Sequence, residues 1–267
     1  MVYHVMITLN KDSKNVVHFR KWCESQKKRY DVISGVRIND WYSQKENLTP
    51  YAYYTLYHWR PSPHHFDTTG PIGCFLAHKN VWKVCVQKQE NIWVFEEGVY
   101  AYNHENMFNI LDREYKNMDL ILGHTIHQFN IWKQRSLRKS QPIGDHLTSI
   151  DKIYYGTKCY RVSPRFATLL LQKSRQFELH VDAYINLMAM YYEDQLQVCR
   201  TKYNIVSACT SWTINHSIDY SIFIPCISLL IIVILIIMKW TQYSKYQVCT
   251  RKLDQYVNQN CEMTKSD

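Results

Sequence analysis

The sequence predicts an α/β domain built on a mostly parallel sheet with helices on both faces, followed by one C-terminal transmembrane helix. Three observations predict it. Short apolar, β-branched runs alternate over residues 1–205 with helical-period segments of about 10–15 residues, the pattern of strand–helix–strand units. The 267 residues hold only 7 Gly and 7 Pro against 21 Tyr and 8 Trp, which excludes collagen-like and turn-dense small scaffolds. One run near the C-terminus carries no charge for 18 residues, about the length that spans a bilayer.

The elements follow in order. Residues 5–9 read as a short buried strand, with neither the basic region nor the long apolar run of a signal peptide. Residues 16–28 read as an amphipathic helix with Val17, Phe19 and Trp22 inward, and residues 31–36 as a second strand. Tyrosine and proline crowd residues 49–63, which predicts an irregular surface segment. Gly70-Pro71-Ile72-Gly73 leads into a helix over 74–89 with Phe75, Val81, Trp82 and Val86 on its apolar side. The apolar strand 92–95 ends directly in Glu96-Glu97-Gly98. In open α/β sheets ligands bind beyond the carboxyl ends of the strands, and carboxylates there can hold a cation that neutralises a diphosphate; a pair of solvated loop acids is the plain alternative. Residues 118–123 form another short strand, and residues 153–163 a strand pair or bent strand. Ser163 caps a helix over 165–176 with Pro164 in its first turn, and Asp182 precedes an apolar helix over 183–192.

Residues 221–239 form the expected transmembrane helix, roughly 27 Å long over its uncharged core and flanked by Tyr220 and Trp240. A juxtamembrane segment over 206–220 precedes it and a basic tail over 240–267 follows. This predicts a single-pass membrane protein. Lys245, Arg251 and Lys252 in the tail favour a cytoplasmic tail, while the missing signal peptide favours a cytosolic main domain, so the side of the domain stays open. The richness in Lys, Asn, Ile and Tyr is that of an AT-rich genome and suits a large DNA virus, which would put the anchor in a host endomembrane.

A formal charge of +9 suggests nucleic acid, but the basic stretches are short and interrupted and no nucleic-acid fold signature accompanies them. Nine dispersed cysteines without a Cys-x-x-Cys pair form neither a disulfide framework nor a zinc spacing, and read as free buried hydrophobes.

The run Gly70-Pro71-Ile72-Gly73-Cys74-Phe75-Leu76-Ala77-His78-Lys79-Asn80-Val81-Trp82 resembles the G-x-I-G-C-x-x-S-H-x-x-x-W motif of glycosyltransferase family 25. Trp93-Val94-Phe95-Glu96-Glu97-Gly98 stands where that family has a strand ending in Glu-Asp-Asp, and Met118-Asp119 matches its Trp-Asp strand. Gly156, Tyr160, Ser163 and Ala167 match its G-x-x-x-Y-x-x-S-x-x-x-A segment, and His180-Val181-Asp182 a Pro-x-Asp-like element. The resemblance covers roughly residues 3–190. It implies a GT-A-like, Rossmann-like domain over 1–205 that transfers a hexose from a UDP-sugar to a glycan or protein acceptor. It further implies Mn²⁺ or Mg²⁺ bound by Glu96 and Glu97, donor contacts from His78, Tyr160 and Ser163, and Asp182 as the acid that deprotonates the acceptor. Three departures stand out: Glu97 and Gly98 replace aspartates, and Ala77 replaces a serine. Losing the last Asp removes a ligand, so a catalytically inactive, glycosyltransferase-like binding module is the alternative expectation.

Overall fold

The computed structural model describes residues 2–57, 66, 68–102, 105–125, 140–151, 154 and 156–208. Strand β1 (Tyr3–Thr8) leads through helix α1 (Lys14–Ser25) to β2 (Arg29–Ser34). A 3₁₀ turn (Trp41–Asn47) and helix α2 (Pro50–Tyr57) follow, then the long helix α3 (Thr69–Lys88), β3 (Ile92–Glu96) and β4 (Val99–Ala101). Next come α4 (Glu105–Glu114), β5 (Leu120–Leu122), β6 (Pro142–Ile143), β7 (Leu147–Thr148) and β8 (Cys159–Val162). Helices α5 (Pro164–Lys173) and α6 (Val181–Tyr191) and strands β9 (Val198–Thr201) and β10 (Ser207–Ala208) complete the described residues.

Eight strands form one sheet in the order β2-β1-β3-β8-β5-β9-β7-β6, and β4 pairs with β10 apart from it. Strands β2, β1 and β3 are mutually parallel, as are β5 and β9, while β8 runs antiparallel between β3 and β5. Six of the eight strands therefore share one direction. Successive strand residues face opposite sides, so each strand feeds two cores. Val5, Ile7, Ile92, Val94, Tyr160 and Val162 pack with α3, α5 and α6 on one face. Met6, Trp93, Phe95, Ile121 and Cys159 pack with α1 and α4 on the other. The mixed, mostly parallel α/β sheet with helices on both faces agrees with the Rossmann-like expectation.

Local signals account for the helix ends. Ser13 accepts from the Val16 amide at the start of α1, and Ser163 from the Phe166 amide at the start of α5 with Pro164 beside it. Pro71 is accommodated in the first turn of α3, where its missing donor would find no partner in any case. Helix α3 ends on Gln89 in the left-handed conformation.

Several expectations need correction. The segment read as irregular contains α2, whose Ala52, Thr55 and Leu56 are buried, so tertiary packing overrides its tyrosine and proline content. Helix α3 begins five residues before the expected start and takes in the Gly-Pro-Ile-Gly run. Residues 159–162 form one antiparallel strand rather than a pair. The single-pass membrane protein with a helix over 221–239 is also corrected: no helix among the described residues is long and apolar enough to cross a membrane. Residues 209–267, where the juxtamembrane segment, the helix and the basic tail were expected, lie outside the described residues. Cys23, Cys85, Cys159 and Cys199 are free and buried, and Cys74 is free and half-buried.

Candidate functional site

Strand β1 lies between β2 and β3, and the chain reaches β2 on one side through α1 and β3 on the other after α3. That is a topological switch point, where open α/β sheets bind ligands beyond the carboxyl ends of their strands, here β1 and β3. Thr8 and Leu9 end one strand, and Glu96 and Glu97 end the other. Because β8 is antiparallel, its N-terminal end brings Gly156, Thr157 and Lys158 to the same edge. The amides of Gly123 and His124, just past β5, bond to the Cys159 carbonyl and close the rim.

Glu96 is the hub of this edge. Phe95 pairs with Cys159, so the next residues, Glu96 and Lys158, face each other across the two strands, with the Glu96 amide donating to the Lys158 carbonyl at 3.1 Å. Lys158 Nζ donates to Glu96 Oε2 at 2.7 Å, and the Thr157 hydroxyl donates to Oε1. Beneath the carboxylate, Trp82 Nε1 donates to the Tyr160 hydroxyl at 3.0 Å, and that hydroxyl lies 2.8 Å from His78 Nδ1. With the tyrosine oxygen accepting from Trp82, its proton goes to Nδ1, and Nε2 then carries its N–H beside Glu96 Oε1, 3.3 Å away but outside hydrogen-bond geometry. Burial alone would raise the Glu96 carboxyl. The Lys158 ammonium, the adjacent His78 ring and the Lys158 hydrogen bond outweigh it and hold the group well below the usual carboxylate range.

The family-like run folds into this support. Cys74, His78 and Trp82 recur every four residues along one face of α3, toward β3 and β8. Gly73 lets the first turn of α3 close on the segment after β2, since a Cβ there would stand 2.2 Å from the Val36 carbonyl oxygen. Ala77, in the serine position, is buried.

The other expected residues separate into distinct places. His78 and Tyr160 are fully buried below Glu96, so they position it from behind. Ser163 lies at the opposite end of β8, where it caps α5 and donates to Asp119 Oδ1 at 2.7 Å. Glu97 turns away from Glu96: its Oε2 accepts from the Thr8 hydroxyl at 2.6 Å and the Leu9 amide at 3.1 Å. Burial raises that carboxyl too, but hydrogen bonds from Thr8, Ser13, Leu9 and Asn10 bring it below its ordinary value. Asp182, in the first turn of α6, accepts from the Gly156 amide at 3.0 Å and the Ala183 amide at 2.8 Å, which ties α6 to the turn before β8. Gly156 has φ +90°, a left-handed conformation that suits glycine.

Lys158, Thr157 and His124 were not foreseen as site residues. Lys158 sits within a segment read only as a bent strand, 62 residues from its carboxylate, and no spacing rule links them. His124 is buried with Nδ1 unpartnered among the described residues. Burial first, and then the Lys158 charge, lower it to about 4.

The donor set does not fit Mn²⁺ or Mg²⁺. These ions take oxygen ligands, whereas the residues that cluster with Glu96 are Cys74 and His78, their ligand atoms all within 4.8 Å of one another. Burial pushes the Cys74 thiol well above its ordinary value, away from the thiolate a metal needs. Glu97 faces elsewhere and Gly98 has no side chain. Lys158 already occupies the Glu96 carboxylate. Unit charges about 4 Å apart repel by about 4 kcal/mol at an effective dielectric of about 20, and a dication doubles that.

The family model described as glycosyltransferase family 25 (LPS biosynthesis protein) matches residues 1–185. The chain belongs to glycosyltransferase family 25. As a family 25 member it has a glycosyltransferase-like function, which implies a nucleotide-sugar donor and an acceptor. No curated protein matches the chain. Among solved structures, A197 from STIV is similar at 8% identity with a TM-score of 0.37, over 78% of this chain and 84% of that one. So loose a likeness carries no weight for fold or chemistry.

Proposed function

We propose that this family 25 chain transfers a hexose from a UDP-sugar to a glycan or protein acceptor, with the donor bound beyond the carboxyl ends of β1 and β3. One observation carries the reading: the switch point of the sheet holds a charged pair, Glu96 and Lys158, with 16% and 17% of their side chains exposed above a buried support. Surface loop acids would be solvated and mobile. This pair is built into two strands and a helix.

In the transfer, the acceptor oxygen bonds to the anomeric carbon as the bond from that carbon to the β-phosphate oxygen breaks, and UDP leaves with the electron pair. The acceptor proton passes to a carboxylate, and Asp182 is the candidate, on α6 at the same edge. A partly dry edge strengthens any charge interaction with the leaving diphosphate. Incubating the full chain with UDP-galactose or UDP-glucose and measuring UDP release tests the reading. Release above a heat-inactivated control supports it, and its absence with every UDP-hexose contradicts it.

A second reading is favoured by a specific feature. Gly98 replaces a carboxylate and both Glu96 and Glu97 are engaged by protein groups, as in a module that binds nucleotide-sugar without turning it over. UDP binding without release would favour that reading.

A further inference from the structure

The misfit between these residues and a divalent cation, together with the ammonium at Glu96, suggests another way of handling the donor. We infer that this chain binds its nucleotide-sugar without a metal ion, with Lys158 as the resident cation that meets the diphosphate and steadies it as it leaves. The inference rests on this edge of the sheet being the donor site.

The backbone puts Lys158 in place. Strand β8 runs antiparallel to β3, so its first residues stand beside the last residue of β3, and Lys158 meets Glu96 at the switch point. Both side chains emerge on the α3 face, as the alternation from Phe95 and Cys159 on the opposite face requires. The pair rests on His78, Tyr160 and Trp82, and each of its side chains is partly exposed. Glu96 is therefore a positioning residue: it holds the ammonium at one spot. His124 adds a buried ring nitrogen, unpartnered among the described residues, on the neighbouring rim.

Charge bookkeeping favours the same assignment. The Glu96–Lys158 pair is neutral as a unit, so an arriving diphosphate meets a cation that protein groups already balance. An ammonium is a compact charge on a flexible stem and can turn from carboxylate to phosphate without leaving the edge. When the sugar–phosphate bond breaks, the β-phosphate oxygen keeps the electron pair and UDP gains one negative charge, which Lys158 faces. A divalent ion would have to share Glu96 with that ammonium, while Gly98 has no side chain and the Glu97 carboxylate is turned to Thr8 and Leu9.

Calorimetric titration of the full chain with UDP, once in EDTA and once in Mn²⁺, tests this. The wild type is expected to bind UDP in EDTA with an affinity within about twofold of that in Mn²⁺, and Lys158→Met to lose about tenfold or more. Glu96→Gln, which keeps the ammonium, is expected to lose less than Lys158→Met does. Binding that appears only with Mn²⁺, or a larger loss in Glu96→Gln than in Lys158→Met, overturns the metal-free inference and leaves the donor site standing. No UDP binding in either buffer overturns both. Lys158→Met alone leaves Glu96 without its cation, so the double variant E96Q/K158M, which removes both charges, is measured beside it. If the double variant melts like the wild type and binds UDP as tightly, Lys158 is not the diphosphate cation.

Discussion

Two carboxylate–cation pairs flank strand β8, one on each face of the sheet, and they serve different ends. Glu96 and Lys158 lie on the α3 face at the strand ends, each partly exposed. Asp112 and Arg161 lie on the α1/α4 face, with the guanidinium fully buried. Arg161 spends its donors on the Leu111 and Tyr115 carbonyls and on Asp112, which also accepts from Trp93 Nε1 at 2.8 Å. It therefore pins the C-terminal end of α4 to the sheet. Burial pushes the Asp112 carboxyl up more than Trp93, Arg161 and Lys28 pull it down, whereas Glu96 is driven down. The two carboxylates are equally exposed, at 15% and 16%, but Arg161 is sealed in as a structural clamp while Lys158 keeps 17% of its side chain exposed at the strand ends. Opposite charges in contact do not by themselves mark a site; access does.

The largest expected effect separates the two. Arg161→Met removes the buried cation of Asp112, leaving only Lys28 Nζ at 3.9 Å, and takes one of two donors from each of the Leu111 and Tyr115 carbonyls, and urea unfolding should show a loss of about 3–5 kcal/mol. UDP affinity of the folded protein should stay within about twofold. A large loss of affinity at unchanged stability would erase the distinction between the faces.

The sealed face also sets the acid response. His4 is fully buried among Trp22, Phe95 and Phe108, and burial, helped by the Lys28 charge, lowers it to about 3. The folded state therefore excludes a proton that the unfolded chain binds below about pH 6.5. Stability is full above that pH and falls as pH drops toward 3, by up to about 1.4 kcal/mol per pH unit from this group. His4→Phe should flatten that slope in melting curves taken between pH 6.5 and 4. An unchanged slope would assign the acid sensitivity elsewhere.

On the α3 face, Gly73→Ala forces a Cβ against the Val36 carbonyl and should cost about 1–3 kcal/mol in thermal or urea unfolding. The smallest effect is expected from Tyr160→Phe, which removes the hydroxyl between Trp82 and His78 and should cost about 1–2 kcal/mol. UDP affinity should fall with it, because Glu96 loses its fixed support. If stability falls and affinity does not, the chain from Trp82 to Glu96 is packing alone.

These residues also show what was legible in the sequence. Apolar runs marked β1, β2 and β3, and the Gly-Pro-Ile-Gly-Cys run with His78 and Trp82 pointed to the family, because local period and residue order carry both. The role of that run was not legible: it is the buried foundation of a carboxylate, which depends on Tyr160, 82 residues from His78. Glu96 and Glu97 are adjacent in sequence yet face different elements, because alternation along a strand separates neighbours. Lys158 escaped notice because a search for clustered acids passes over a lone lysine, and only the antiparallel placement of β8 brings it to Glu96. Helix α2 and strand β9 were missed because their stability comes from packing rather than local pattern.

The central claim is that Lys158 stands where a metal ion was expected, and a crystal structure of the full chain grown with UDP and EDTA tests it most directly. The account predicts the diphosphate beyond the carboxyl ends of β1 and β3, with a phosphate oxygen within hydrogen-bond distance of Lys158 Nζ and no ion between it and Glu96. A diphosphate that binds only with Mn²⁺ bridging it to Glu96, and Lys158 turned aside, would contradict it.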